Sequence, residues 1–441
     1  MNKKHVFGLL MLCMVLSLSA CGYRTVEEMY RIPKRTQEFT LLQSTIEQTM
    51  SGLEFASPTT GDNQQTVQTA DIDGDGRPEY LVFARGNSEK PLKLLIFHET
   101  EDNQYFLMEK LEMNGSAFEQ VEYAQMDDHP GVELILGRRL GDQMMRIAAV
   151  YSFSEGQSNQ LVNTIYTKLL VTDLDENGQQ ELMVIREGDT DISVGSAVVY
   201  YYQGGAMERS REIRLSQRVE QLKRCKVSKL ESGEPAVYLS STMNDSAIVT
   251  DVLMFKDGSL QNLNSTGKLA YSVQALRNYF LYMSDIDEDG IMELPSLIDM
   301  QPIDPEERSP EQLVYWYAID SDGEQTPKMY TFHNVDGGWY VFLDMEQERA
   351  ERISVQRQGN GIHFYIWDEA YEETKLLFTI YAYTGKDRNQ MAQKNNQFLL
   401  HQGDNVVYAG KLEVSSAIHG INQESVRKSF HLISADWKKE G

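Results

Sequence analysis

The chain has 441 residues and carries 66 aspartates and glutamates against 41 lysines and arginines, which gives it a net charge of −25. Nucleic acids and anionic lipid surfaces are themselves negatively charged, so this balance excludes broad binding to either of them. We therefore expect no nucleic-acid partner, and a protein suited to a cation-rich exterior.

The N-terminus has the pattern of an export signal. Lys3 and Lys4 precede an apolar run over residues 6–18, which has the length of a signal-peptide core and is too short to span a bilayer as a mature helix. The run ends in Leu-Ser-Ala-Cys at Cys21, which resembles a bacterial lipoprotein signal. An ordinary secretory signal with a chance cysteine is the alternative.

The resemblance implies removal of residues 1–20 and attachment of lipid to Cys21, with residues 21–36 as the lipidated N-terminus and tether. Two or three acyl chains are enough for stable anchoring, so the membrane is one predicted partner, through the lipid on Cys21. The predicted location is extracytoplasmic, lipid-anchored to the bacterial cell membrane. Because Cys13 is lost with the signal, only Cys225 remains as a thiol, and no intramolecular disulfide is expected.

One acidic pattern occurs three times along the chain. The segments are ADIDGDGRPEYLVF (70–83), VTDLDENGQQELMVI (171–185) and MSDIDEDGIMELPSL (283–297), called here the first, second and third loop. Each has carboxylate or amide side chains at positions 1, 3 and 5, glycine at position 6 and glutamate at position 9, followed by apolar residues. Oxygen ligands in this order, with glycine at the sharp turn, are typical of a calcium site.

The candidate ligands follow from these positions, with a backbone carbonyl at position 7. They are Asp71, Asp73, Asp75, Arg77 and Glu79 in the first loop, Asp173, Asp175, Asn177, Gln179 and Glu181 in the second, and Asp285, Asp287, Asp289, Ile291 and Glu293 in the third. An EF-hand needs glutamate at position 12 and a following helix, but position 12 is Val82, Val184 or Ser296 and strand-like runs follow. We predict structural Ca²⁺ in these loops, bound more weakly in the second, where position 5 is Asn177. An acidic turn without metal is the alternative.

The spacing of the loops predicts the fold. Asp71, Asp173 and Asp285 are 102 and 112 residues apart, about twice the length of one propeller blade. Weaker copies lie midway, at AQMDDHPGVELILG (124–137) and VSKLESGEPAVYLSS (227–241), and short β-branched or aromatic runs fill each interval. We predict a mainly β fold, a β-propeller of five to seven blades, because stacked blades cover faces that a single blade leaves open.

The loops and their period resemble the FG-GAP/VCBS-type repeats of extracellular β-propellers, a family that includes the integrin α-subunit head. The resemblance covers residues 60–300, a little over half of the chain. It implies a propeller with calcium loops in a lipoprotein of the bacterial cell envelope. After the loops, FARGN and VIREG replace the Gly-Ala-Pro segment of the family, so an integrin-like ligand surface is not implied.

Both ends of the chain differ from the repeats. EFTLLQSTIEQTMSGLEF (38–55) has apolar residues at helical spacing, so residues 37–330 are predicted to hold one amphipathic helix and the propeller. Strand-like runs, and a predicted helix over 422–433 with Asn422 as N-cap, indicate a small C-terminal α+β domain at 331–441. Two further blades in the same segment are the alternative.

Well-known catalytic motifs are missing from the sequence, which has no His-Glu-x-x-His, no Gly-x-Ser-x-Gly and no phosphate loop. We therefore expect a protein that is not an enzyme and that binds an unknown protein or glycan at the cell envelope. The alternative is a hydrolase or lyase that acts on envelope polysaccharide in a cleft on a propeller face, because an acidic propeller offers many carboxylates for a catalytic pair.

Overall fold

The structure is a computed structural model, and it describes most of the chain beyond the N-terminal segment. The described residues are 37–100, 102, 104–141, 145–154, 156–188, 193–244, 247–265, 276–277, 281–303, 311–343, 347–368 and 373–433. Most of them lie in antiparallel β-strands, which confirms the prediction of a mainly β fold. Cys21, the signal and the tether lie outside the described residues. No helix within those ranges is long and apolar enough to cross a membrane.

The described residues form two compact units. The first contains 37–57, 65–71 and 76–114, and the second contains the remainder. We describe each unit by itself.

The first unit holds one helix and one five-stranded sheet. These elements are α1 (Gln37–Thr49), β1 (Leu53–Phe55), β2 (Val67–Ala70), β3 (Glu79–Gly86), β4 (Leu92–Glu99) and β5 (Tyr105–Met113). The sheet has the order β1-β3-β4-β5, and β2 also pairs with β3. Leu42, Ile46 and Met50, spaced four residues apart at the predicted helix, are buried against a core that contains Val82 and Phe97, because one face of the helix carries the apolar residues.

The second unit begins with three sheets in chain order. The second sheet of the chain contains β6 (Ala117–Ala124), β7 (Glu133–Arg139), β8 (Arg146–Ser154) and β9 (Gln157–Tyr166). The third contains β10 (Lys168–Thr172), β11 (Glu181–Arg186), β12 (Ser196–Gln203), β13 (Ala206–Arg209) and β14 (Ile213–Arg214). The fourth contains β15 (Leu222–Lys229), β16 (Pro235–Met243), β17 (Ala247–Lys256), β18 (Ser259–Asn262) and β19 (Leu276–Arg277).

Two more sheets and four short helices complete the second unit. The fifth sheet contains β20 (Leu294–Asp299), β21 (Gln312–Ile319), β22 (Gln325–Asn334) and β23 (Trp339–Leu343). The sixth contains β24 (Ile353–Gln358), β25 (Gly361–Asp368), β26 (Glu373–Thr384), β27 (Phe398–Gln402) and β28 (Val406–Leu412), in the spatial order β24-β25-β26-β28-β27. The helices are α2 (Gln347–Ala350), α3 (Arg388–Met391), α4 (Val414–Ile418) and α5 (Gln423–Ser429). The last strand, β29 (Phe430–Leu432), returns to pair with β23.

Consecutive sheets of the second unit share their cores. Strand β11 shows how, because it is buried on both sides and its sequence is continuously apolar. Leu182 and Val184 pack into the core of the second sheet, whereas Met183 and Ile185 pack into the core of the fourth. Alternate side chains of a strand point to opposite faces, so one apolar run binds two neighbouring sheets.

The predicted repeat starts fall at equivalent places in these sheets. The three loops lie between β2 and β3, between β10 and β11, and directly before β20. The weaker copies lie between β6 and β7 and between β15 and β16. Each repeat start therefore leads into a strand of a different sheet. The apolar residues after position 9 lie in that strand and are buried in the core, as in β3 and β11.

The C-terminal segment packs against the strands that precede it. Strand β22 runs through residues 330 and 331, and the ring of Phe332 lies edge-on to Phe364 of β25, with centroids 5.3 Å apart. The predicted helix at the C-terminus ends at Ser429, and the Asn422 side chain accepts hydrogen bonds from two N–H groups of its first turn, as expected for an N-cap. The next residues form β29. The choice between a separate domain and further blades stays a prediction.

Candidate functional site

The three acidic loops share one backbone geometry. The glycines at position 6, which are Gly76, Gly178 and Gly290, have φ between 87° and 90°, where only glycine is free of strain. The N–H of each glycine donates to the aspartate at position 1 at 3.0 Å. The sequence pattern therefore specifies a turn that curls around its own carboxylates.

In the second loop, the turn brings three acids together. Asp173, Asp175 and Glu181 each offer an oxygen atom within 4.8 Å of the others. Oδ1 of Asp173 is buried and has no hydrogen-bond partner among the described residues. Burial of the glutamate, which is 1% exposed, together with the charges of the neighbouring aspartates, raises the pKa of Glu181 to about 8. A cation bound here would satisfy the buried oxygen and offset the repulsion between the carboxylates.

The third loop repeats this arrangement. Asp285, Asp287 and Asp289 offer oxygen atoms within 4.8 Å of one another. Glu293 is fully buried, and its Oε2 accepts a 2.9 Å hydrogen bond from the N–H of Ile286. Its Oε1 is buried without a hydrogen-bond partner among the described residues, and burial raises the pKa of Glu293 to about 7. The donor set of this loop therefore also fits a metal ion.

The division between the two units runs through the first loop. Asp71, Arg77 and Glu79 belong to the first unit, whereas Asp73 and Asp75 belong to the second. Within the second unit, the N–H of Asp75 donates to Oδ1 of Asp73 at 3.2 Å, which repeats the contact between positions 5 and 3 of the other loops.

A histidine that the pattern does not contain joins the first loop. Nδ1 of His98, on β4, lies 2.8 Å from Oε1 of Glu79, which is fully buried, and both residues belong to the first unit. Within the described part of the chain, no histidine contacts Glu181 in the second loop or Glu293 in the third.

Position 7 was predicted to supply a backbone carbonyl. In the second and third loops, the N–H groups of Gln179 and Ile291 donate to the side chains at position 5, Asn177 and Asp289, at 2.7 and 2.8 Å. The side chain of Gln179 also donates to Asp128, at 2.8 Å. The residues at position 7 thus fasten the turn through their N–H groups.

The weaker copy between β6 and β7 is satisfied without a cation. Oε2 of Glu133 accepts the N–H of Met126 at 2.6 Å, as the position-9 glutamates of the second and third loops do with their own position 2. The hydroxyl of Ser152 lies 3.1 Å from Asp127 and 3.2 Å from Glu133, so it donates to one of these buried carboxylates at a time. A serine hydroxyl therefore serves the carboxylates of this copy.

A separate feature of the second unit is a pair of adjoining cavities, called here the cleft. Their volumes are about 770 and 890 Å³, and both are lined by Arg146, Tyr166, Thr167 and Glu187. Lys168, at the start of β10, also lines the first cavity. The second loop lies at the other end of β10 and β11, so its acids are not part of the cleft.

Ion pairs organise the cleft. Glu119, which is 3% exposed, accepts hydrogen bonds from Arg146 and from Arg139, the latter at 2.7 Å. Arg218 lies 3.6 Å from Glu187 and 3.1 Å from Glu220. Carboxylate and guanidinium groups therefore lie side by side in the walls.

Tyr166 lines both cavities and is 4% exposed. Its hydroxyl has no hydrogen-bond partner among the described residues, and burial raises its pKa above the ordinary value. It fits only because residue 137 is glycine, since a Cβ there would lie 2.3 Å from the hydroxyl oxygen. Sequence reasoning missed the cleft entirely. The one local signal was the cluster of arginines at Arg138, Arg139 and Arg146 in an acidic chain.

No family model matches the chain, and no curated protein matches it. Among solved structures, an exotype rhamnogalacturonan lyase is similar over 80% of this chain and 74% of its own, with 12% identity and a TM-score of 0.24. A rhamnogalacturonan lyase from Bacillus licheniformis is similar over 73% of this chain and 57% of its own, with 14% identity and a TM-score of 0.26. An exo-β-1,3-galactanase from Phanerochaete chrysosporium is similar over 86% of this chain and 91% of its own, with 10% identity and a TM-score of 0.27.

These similarities correct one expectation from the sequence. The chain was expected not to be an enzyme, but the similar structures named here are polysaccharide lyases and a glycosidase. The expectation depended on missing short motifs. Groups that line the cleft come from distant positions such as Glu119, Tyr166 and Arg218, so a site built in this way leaves no contiguous motif.

Proposed function

We propose that the protein acts on a polysaccharide of the cell envelope and that the cleft is its ligand site. The observation that carries this proposal is that carboxylates and guanidinium groups lie side by side around two adjoining cavities. Sugar hydroxyls both donate and accept hydrogen bonds, so they suit walls that offer acceptors such as Glu187 next to donors such as Arg218. Tyr166 adds a hydroxyl that can do either.

We further propose that the metal of the acidic loops is calcium and that its role is structural. Hard oxygen ligands at alternating positions of a flexible loop favour Ca²⁺, whereas Mg²⁺ demands a tighter octahedral site. In the second loop, Asp173, Asp175 and Glu181 would hold the ion. Since this loop and the cleft lie at opposite ends of the same strands, the ion would fix where β11 begins and take no part in ligand binding.

The fold is proposed to be an FG-GAP/VCBS-like propeller. The support is that consecutive sheets of the second unit share cores and that each repeat start leads into one strand.

The lipid anchor on Cys21, with its extracytoplasmic location, is proposed from the signal pattern alone. Its test is metabolic labelling with a fatty acid, which Cys21→Ser should abolish while precursor accumulates. Equal labelling of the variant would rule out this modification.

The proposed polysaccharide function is tested with the calcium-loaded protein and a panel of neutral and acidic polysaccharides. Affinity electrophoresis measures binding, and release of new reducing ends measures cleavage. We expect at least one polysaccharide to be bound or cleaved, and Glu187→Gln to weaken this by about tenfold, the loss of one charged hydrogen-bond partner. Glu208→Gln, on an exposed position of β13 outside the cleft, is the control. No binding and no cleavage across the panel would refute the proposal.

A further inference from the structure

We infer that the cleft selects a glycan that carries carboxylate groups, such as a chain of uronic acids. This inference rests on the proposed polysaccharide function and names its ligand class.

The walls of the cleft depart from the charge of the chain. The cations that line its cavities are Arg146, Lys168, Arg186, Arg214 and Arg218, and the carboxylates are Glu119, Glu187, Glu212 and Glu220. Five cations thus face four carboxylates in a protein whose net charge is −25. The lining of the cleft therefore has more cations than carboxylates, whereas the chain as a whole has more carboxylates than cations.

The carboxylates of the cleft are already paired. Glu119 pairs with Arg146, and Arg218 lies within 3.6 Å of both Glu187 and Glu220. Each of these carboxylates therefore has an arginine within ion-pair distance, although Glu187 and Glu220 share one.

Glu212, in the second cavity, is shared by two arginines. One of them is Arg186, at 3.3 Å, and the other is Arg209, which lies outside the cavity linings. Burial opposes ionisation of Glu212, but the hydrogen bond from Ser196 and the charges of both arginines hold its pKa below the ordinary value.

Two cations remain without such a partner. Lys168 lines the first cavity and Arg214 lines the second, both are exposed, and neither makes an ion pair within the described part of the chain. The positive excess lies in the second cavity, where three cations meet two carboxylates, whereas the first cavity has three of each. Lys168 and Arg214 are therefore the two cleft cations that a ligand carboxylate can reach without breaking an ion pair.

Carboxylated sugars fit these walls better than polyphosphates do. A phosphate polymer would place closely spaced charges next to Glu119, Glu187 and Glu220, where like charges repel, and it has no hydroxyls along its chain to bond the paired walls. A uronic acid carries one carboxylate and several hydroxyls, so its hydroxyls can bond the paired walls while its carboxylate meets a free cation. Arg214 can bind a carboxylate through two parallel hydrogen bonds, whereas Lys168 acts as a point charge.

The test compares a uronate oligomer with its neutral ester and with two other polyanions. The calcium-loaded mature chain is titrated calorimetrically with oligogalacturonate, with the same oligomer as its methyl ester, with oligoglucuronate and with inorganic polyphosphate. We expect a uronate oligomer to bind about tenfold or more tightly than the neutral ester, as expected for charged hydrogen bonds. Lys168→Gln and Arg214→Gln should each weaken uronate binding by about tenfold and leave binding of the ester unchanged.

The control variant is Arg211→Gln. Arg211 is exposed in the same segment as Arg214 but lines neither cavity, so its loss should change uronate binding by less than about twofold. Melting curves show whether each variant is folded.

The outcomes separate the two proposals. Equal binding of acid and ester would overturn the inference while leaving the polysaccharide function in place. Tighter binding of polyphosphate would also overturn it. Failure of every glycan in the titrations and in the polysaccharide panel would overturn both. A loss in Arg211→Gln as large as in Arg214→Gln would show general surface attraction and would contradict recognition by the cleft.

Discussion

Oε2 of Glu181 accepts a 2.6 Å hydrogen bond from the N–H of Leu174, and Glu133 accepts the N–H of Met126 at the same distance. The first pair belongs to a loop with a cluster of acids, and the second belongs to a copy in which a serine satisfies the carboxylates. The position-9 glutamate therefore fastens the entry to a strand whether or not acids gather in front of it. The acidic cluster adds a metal site to a turn that already has its shape.

Chelation should lower the melting temperature of the protein by several degrees. At about 2 mM calcium and a Kd of about 10⁻⁴ M, each occupied site adds about 1.8 kcal/mol. Asp289→Ala should remove part of the calcium response, and Asn177→Ala should remove less, because a neutral ligand is lost. Asp404→Ala, an exposed aspartate in a turn outside the loops, should keep the full response. Melting curves with calcium and with chelator measure the response of the unmodified protein and of the three variants. An equal response of Asp289→Ala and Asp404→Ala would contradict the assignment.

The stability of the chelated protein should fall as pH rises. Burial raises the pKa of Glu181 from 4.5 to about 8 and that of Glu293 to about 7, so the folded state holds these protons more tightly than the unfolded state. The stabilisation is complete below about pH 4.5 and is lost as pH rises through 7 to 8.

Calcium should remove this loss, because the ion favours the ionised carboxylates. Melting temperatures between pH 5 and 8, with and without chelator, test both statements. Glu181→Gln, which stays neutral, should flatten the chelated profile. A chelated profile that rises with pH would contradict the account.

Lys328 should weaken calcium binding at the third loop. Its ammonium lies 3.4 Å from Oδ2 of Asp289 and 2.6 Å from Glu231, and its side chain is 16% exposed. A fixed positive charge beside a cation site opposes the ion. We expect Lys328→Met to tighten calcium binding severalfold in calorimetric titrations, whereas Lys256→Met, which removes another lysine–glutamate pair, should not. Weaker binding in Lys328→Met would show that the lysine supports the site.

The weaker copy should depend on Ser152 in place of metal. Ser152→Ala removes the side-chain donor of the buried carboxylates of Asp127 and Glu133 and leaves them only their other donors, which costs about 1 to 3 kcal/mol. This loss should be the same with calcium and with chelator in denaturant unfolding. Ser154→Ala, two residues along the same strand and exposed, is the matched control. If added calcium rescued Ser152→Ala, this copy would be a metal site as well.

The loops were predictable because their information is local. Asp173, Asp175 and Gly178 lie within six residues, and the φ of the glycine, near 90°, determines where the carboxylates go. The apolar runs after each loop also predicted strands, because strands such as β11 are buried on both faces. His98 was not predictable, since it reaches Glu79 from the next strand of its sheet.

The cleft was not predictable because, like His98 and Glu79, its residues are distant in the sequence and meet only in the fold. Glu119, Tyr166 and Arg218 meet only after three sheets have packed side by side, and no spacing in the sequence brings them together. Charge composition also concealed it, because five cations among 107 charged residues do not change the average. Gly137 gave no signal either, although the position of Tyr166 depends on it.

Calorimetric titration of calcium into the chelator-stripped protein tests the central claim, that the acidic loops bind calcium, most directly. The account predicts saturable binding with Kd values of about 10⁻⁴ to 10⁻³ M. It also predicts a lower stoichiometry in Asp173→Ala and in Asp285→Ala, by one site each, with magnesium a poor substitute. Absence of any calcium heat, together with superimposable melting curves in chelator and in excess calcium, would show that the loops are acidic turns without metal.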